Sequence, residues 1–136
     1  SMISAVTNQG KASWMIVEEN FNADNFIEFL AALIKDARQK IFLIVDSLRV
    51  HHSKLVKAWV AEHINEIELF YLPSYSPELN PDERLNADLK YAIGSKVAVR
   101  TKTKLRNATN EHLQTISESP ERVKSYFQDK HTKYAA

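Results

Sequence analysis

The chain of 136 residues contains no cysteine, two glycines and four prolines. Without cysteine, a disulfide scaffold, a cysteine-based zinc site and a thiol nucleophile are all excluded. Two glycines do not suffice for a phosphate-cradling G-x-x-x-x-G-K loop or a dinucleotide fingerprint. No G-x-S-x-G occurs for a serine hydrolase. No apolar run approaches the ~20 residues of a membrane span. The opening Ser1-Met2-Ile3-Ser4 lacks the charged start and long apolar stretch of a signal peptide. These absences predict a cytoplasmic protein without a membrane partner. What is present is ordinary for a globular protein: 44% hydrophobic and 26% charged residues. The length predicts a single domain over residues 1–136 with a real core.

The net charge of +1 hides an asymmetry. Residues 1–89 carry 8 basic and 13 acidic side chains, whereas residues 90–136 carry 10 basic and 4 acidic. No acid interrupts the stretch from Lys90 to Arg106. Lys96, Arg100, Lys102, Lys104 and Arg106 form a strip that reads either as a solvated basic linker over 94–104 or as a phosphate-contacting surface.

Hydrophobic periodicity predicts the order β-β-α-β-α-β-α-α-α. Two β-prone runs, Met2 to Thr7 and Ala12 to Val17, flank an Asn8-Gln9-Gly10 turn and read as a hairpin. Asn22 is placed to cap a helix with Phe26, Ile27, Leu30, Leu33, Ile34 and Ala37 on one face. The continuous apolar run Ile41 to Val45 predicts a strand buried on both faces, as in a parallel sheet under helices. Ser53 caps a second helix with Leu55, Val56, Trp59 and Val60 inward, and Ile67 to Leu72 is the next strand. Asn80-Pro81 opens a third helix ending near Gly94. Helices over 105–130 follow, the last opened by Ser119-Pro120-Glu121. The class is α/β, a mixed sheet flanked by helices.

Two acids stand out by position. Asp46 directly follows the apolar strand, at the carboxyl end where open α/β sheets gather ligands; it equally suits a turn cap with Ser47. Glu83 sits where it closes a capping box onto Asn80, and Asp82 and Glu83 both suit a helix's positive end. His51 and His52 lie near Asp46 as possible ligands, though helix capping or DNA contact reads better for them. His63, His112 and His131 read as structural. Trp14, Trp59, Tyr71 and Tyr75 share no face and read as core or rim residues rather than base-stacking platforms.

One string is more specific. Leu72-Pro73-Ser74-Tyr75-Ser76-Pro77-Glu78-Leu79-Asn80-Pro81-Asp82-Glu83 resembles the L-P-x-Y-S-P-x-L-N-P-x-E signature of DDE transposases of the Tc/mariner and insertion-sequence-630 type. Ile44 to Ser53, I-V-D-S-L-R-V-H-H-S, resembles their V-D-N-x-x-x-H-x-S segment. The resemblance covers much of the chain from Met2 onward.

This resemblance implies a ribonuclease H-like fold and a site of two Mg²⁺ or Mn²⁺ ions, with Asp46 matching the second catalytic acid and Glu83 the third. Ser47, His51, His52 and Asn80 would support those ligands from behind. The family's first acid lies on a strand before the hairpin, and no residue among 1–20 matches it. The chain is therefore expected to be a fragment of a catalytic domain lacking its first strand and inactive alone. An exposed sheet edge then predicts a homodimer. Ser47 also stands where the family often has Asn, and Asn86 where many members have Trp. The implied parent activity is metal-dependent DNA cleavage and strand transfer at transposon ends and target DNA, near the nucleoid in a bacterium. The alternatives are a folded, non-catalytic remnant that binds DNA or associates, and a ribonuclease H-like nuclease acting on another substrate.

Overall fold

A computed structural model describes residues 1–18, 20–94 and 101–136. The elements follow the expected order: β1 (Met2–Val6), β2 (Ala12–Ile16), α1 (Ala23–Asp36), β3 (Ile41–Val45), α2 (Lys54–Glu62), β4 (Ile67–Tyr71), α3 (Asp82–Gly94), α4 (Lys102–Ser117) and α5 (Pro120–Ser125). Short 3₁₀ turns lie at Val50–His52, Pro77–Leu79 and Lys133–Ala135. The described residues group into two compact units. One comprises Ser1–Ile3 and Met15–Asn80, the other Ser4–Trp14 and Pro81–Ala136. Among the described residues no helix is long and apolar enough to cross a membrane.

In the first unit, local chemistry sets α1 and α2. Asn22 and Asn25 exchange side-chain to backbone hydrogen bonds, both 2.9 Å, closing a reciprocal box at the start of α1. Such a cap contributes about 1 kcal/mol. Ser53 Oγ accepts from the Val56 amide and starts α2. β3 and β4 pair in parallel, Ile41 opposite Ile67 and Val45 opposite Tyr71, with α2 in the connection between them. Phe26, Leu30, Val45, Val56 and Ile67 form the core, and Leu33, Ile34, Leu43, Trp59 and Leu69 pack around it. Phe29, absent from the periodic face read in the sequence, is buried as well.

Two expectations fail here. β3 is not buried on both faces: its exposure alternates, with Phe42 64% and Ile44 38% exposed. Its only paired neighbour among the described strands is β4, and within this unit α1 and α2 cover one face. Leu55 does not point inward but is 60% exposed, since Val56 takes the core position on α2.

In the second unit, α3, α4 and α5 bury Leu85, Leu89, Ala108, Leu113, Ile116 and Val123. Asp88 ties the three helices together. Its carboxylate accepts from Arg122 Nε at 2.8 Å and His112 Nε2 at 3.0 Å, and also from the Tyr126 hydroxyl. The basic linker expected over 94–104 falls largely outside the described residues. α3 includes Gly94, and Thr101 Oγ1 accepts from the Lys104 amide and starts α4 at Lys102. Lys96 and Arg100 lie outside the described residues. The α3 helix starts at Asp82, which makes Asp82 and Glu83 its first two residues. Ser119 precedes α5 as expected, but its hydroxyl donates back to the Thr115 carbonyl rather than capping.

Candidate metal and DNA-binding residues

Asp46 is the first residue past β3, and the turn carrying it is pinned from several sides. The Leu72 amide donates to the Val45 carbonyl at 2.8 Å, continuing the parallel pairing to the last residue of β3. The Ser47 hydroxyl donates to the Leu72 carbonyl at 2.6 Å. His51 Nδ1 lies 2.7 Å from the Asp46 main-chain oxygen. A carbonyl only accepts, so Nδ1 carries the hydrogen and Nε2 the lone pair. Burial pulls the His51 imidazole below its ordinary value, against the opposing pull of that hydrogen bond and of the Asp46 charge, so the ring is neutral at pH 7.

The His51 ring is held by aromatic neighbours, 4.5 Å from the Phe26 centroid and 5.8 Å from Phe21. Tyr71, at the end of β4, donates its hydroxyl to the His51 carbonyl at 2.8 Å, and burial pushes its phenol up. His52 stacks on the Tyr71 ring at 4.0 Å. Ser47, His51, His52 and Asp46 thus come together on one turn. Asp46 is partly exposed.

Asn80 closes the 3₁₀ turn Pro77–Leu79, its amide donating to the Pro77 carbonyl at 3.0 Å. Glu83, partly exposed, is the second residue of α3, where the helix dipole favours a negative charge. Its neighbour Asp82 is engaged differently: both of its carboxylate oxygens lie 2.8 Å from the Ser4 hydroxyl.

Among the described residues no group of three acidic or histidine side chains forms a ready-made cation site. The donors at hand are carboxylates, with no thiol in the chain. Oxygen donors suit Mg²⁺ and Mn²⁺, and Mg²⁺ keeps several waters on one or two carboxylates. Asp46 and Glu83 are each a donor of that kind.

Lys102, Lys104 and Arg106 are exposed on the first turns of α4, and no acid lies in its first turn. Cations at a helix's positive end are disfavoured by about 0.3–1 kcal/mol each. An anion there offsets that cost. His112, on the same helix, is structural as expected, bound to Asp88. His63 is structural too, stacked on Trp59 at 4.0 Å. The sequence reading missed Tyr71 as the donor to His51 and the Phe21 and Phe26 wall. Only the spacing of Tyr71 from Asp46 across two paired strands hinted at the first.

The model of the DDE superfamily endonucleases matches residues 1–106, from β1 into α4. The chain belongs to that family. A search of curated proteins finds no match. Solved structures do match. The catalytic domain of Mos1 mariner transposase is 18% identical, with a TM-score of 0.59 over 88% of this chain and 68% of that one. The same domain with raltegravir and Mn is 14% identical, with a TM-score of 0.63 over 95% and 72%. The Mos1 strand transfer complex is 18% identical, with a TM-score of 0.58; this chain covers 41% of that one. At these identities the likeness carries the fold, and the fold of this DDE family member is the ribonuclease H-like fold expected from its sequence.

Proposed function

We propose that this DDE family member serves metal-dependent DNA strand cleavage and strand transfer in transposition, with Asp46 and Glu83 each offering a carboxylate to Mg²⁺ or Mn²⁺. The observation that carries this reading is the pinned Asp46 turn at the carboxyl end of β3. The His51 ring bonds the Asp46 main-chain oxygen and Ser47 ties the next residue to Leu72, while Asp46 itself stays partly exposed. When bound, divalent ions activate the attacking water or hydroxyl and neutralise the leaving oxygen. The chain's own contribution is to hold the backbone that carries the Asp46 carboxylate, through the His51 ring and the Ser47 hydroxyl. Mos1 structures with Mn and with Mg support the choice of cation.

DNA, as transposon end and target, is the proposed partner. Lys102, Lys104 and Arg106 would contact phosphates, joined by Lys96 and Arg100. Contacts of this kind are sequence-blind and weaken steeply with salt. In a bacterial cell a DNA substrate would place the protein in the cytoplasm, at the nucleoid. The proposed second partner is another copy of the chain, because the outer face of β3 and β4 leaves Phe42, Ile44 and Phe70 exposed.

The test is Mn²⁺ binding followed by electron paramagnetic resonance. The wild type should bind Mn²⁺, and Asp46→Asn and Glu83→Gln should each weaken binding at least about tenfold, with folding unchanged by circular dichroism. Absence of binding in the wild type would favour the non-catalytic remnant.

A further inference from the structure

The loop after β4 contains a residue that the fold does not explain. Tyr75 has φ +56°, and it is the sole non-glycine residue with positive φ among those described. Side chains with a β-carbon rarely adopt this conformation, which glycine or asparagine ordinarily fills. Its ring gains nothing from the fold in return, since the side chain is 101% exposed, the most exposed of the large hydrophobic residues. The loop around it is nonetheless ordered by short-range bonds. The Ser76 hydroxyl donates to the Ser74 carbonyl, the Leu79 amide donates to the Ser76 carbonyl, and Pro73 and Pro77 fix φ on either side. A strained backbone that holds an aromatic ring out in solvent points to a use outside the fold.

The position of the loop indicates what that use is. Leu72 is bonded to Ser47, the residue after Asp46, and Tyr75 follows three residues later, within about 11 Å along the chain. The loop that carries Tyr75 therefore leaves from the Asp46 turn, whose carboxylate is proposed to handle a phosphodiester. Each sugar joined by a phosphodiester carries a nucleobase, and a phenol face stacks on any of the four. Inside a duplex both faces of a base are covered by its stacked neighbours, so an unpaired base offers a face to the ring far more readily.

We infer that Tyr75 is a stacking contact for an unpaired nucleobase next to the phosphate handled at Asp46. The inference rests on the DNA-processing reading above. It reverses the expectation that Tyr75 is a core or rim residue.

The experiment uses the full chain and two fluorescent DNA probes, a blunt duplex and the same duplex with a short 3′ overhang containing 2-aminopurine. Wild type, Tyr75→Phe, Tyr75→Leu and Tyr75→Gly are compared by anisotropy, 2-aminopurine quenching and thermal melting. Tyr75→Phe should bind the overhang within about twofold of wild type. Tyr75→Leu and Tyr75→Gly should bind it about tenfold more weakly and lose the quenching, with blunt-duplex binding unchanged. Tyr75→Gly relieves the positive φ, so its melting temperature should not fall, and lost binding then does not mean lost folding. Wild-type overhang binding by Tyr75→Gly would overturn the inference and leave the DNA reading standing. If Tyr75→Gly instead changed only self-association in sedimentation, the ring would be a protein contact and the inference would fall. No DNA binding by the wild type would overturn both.

Discussion

Gly10 backs onto Pro120 so closely that a β-carbon at position 10 would lie 2.7 Å from the Pro120 carbonyl oxygen. Gly10 also has φ +93°, so an L side chain there is strained even without the clash. The pair locks the β1–β2 turn against the first residue of α5. Gly10→Ala should therefore destabilise the protein by roughly 2–4 kcal/mol in urea unfolding. The nearest obstacle is main-chain oxygen, so Pro120→Ala should not rescue Gly10→Ala. A double variant as stable as the wild type would show that the contact is not as tight as the geometry indicates.

Acid sensitivity should trace to Asp88. Partial burial pushes its carboxyl up, but the hydrogen bonds from Arg122, Tyr126 and His112 outweigh burial and hold it at about 2, below the ordinary 3.8. The same contact, together with burial, pushes the Tyr126 phenol up. Between pH 4 and 2 the unfolded chain binds a proton that the folded chain refuses, so stability rises with pH through that window. The contribution is complete above about pH 4 and lost as pH falls toward 2. A shift of this size corresponds to about 2 kcal/mol. Unfolding free energies measured from pH 7 down to pH 2 should show this loss in the wild type. In Asp88→Asn the slope between pH 4 and 2 should be shallower and the stability at pH 7 lower.

The local elements were legible because their causes are local. Asn22 and Ser53 announce helix starts through their own side chains, and both do cap. What a strand faces is not local. Ile41 to Val45 is uniformly apolar, and nothing in those five letters says that Phe42 and Ile44 turn away from α1 and α2. Leu55 and Val56 are adjacent and equally apolar, so only packing decides which enters the core. Among the candidate ligands, Asp46 was readable from its place after a strand and Glu83 from its string. The burial of His51 and its bond back to Asp46 depend on Phe21 and Phe26, which lie 25 or more positions earlier in the sequence. The exposure of Tyr75 depends on a backbone angle that no residue preference foretells.

His51 makes two separable contributions, ring packing against Phe26 and an N–H donated to Asp46. His51→Phe keeps an aromatic ring and removes the donor. It should cost about 1 kcal/mol of stability and weaken Mn²⁺ binding through the loosened Asp46 turn. His51→Asn puts an amide N–H where Nδ1 was and loses the ring contact. Its Mn²⁺ affinity should be nearer to wild type than that of His51→Phe, even with a lower melting temperature. The opposite ranking in Mn²⁺ affinity would assign His51 to packing alone.

The exposed face of β3 and β4 leads to a last prediction. Phe42 and Phe70 lie with ring centroids 6.3 Å apart, and Lys40 stands over the Phe42 ring at 5.3 Å. Phe42 is 64% and Phe70 46% exposed and neither belongs to the core, so Phe42→Thr/Phe70→Thr should change unfolding free energy only modestly, by about 1 kcal/mol or less. Threonine is β-branched and suits a strand. If this face joins two copies of the chain, sedimentation should show wild-type association that the double variant lacks. That association should persist at high salt, because apolar contact is not screened, whereas DNA binding through Lys102, Lys104 and Arg106 should fall steeply with salt. Equal association in wild type and double variant would place any self-contact elsewhere on the chain.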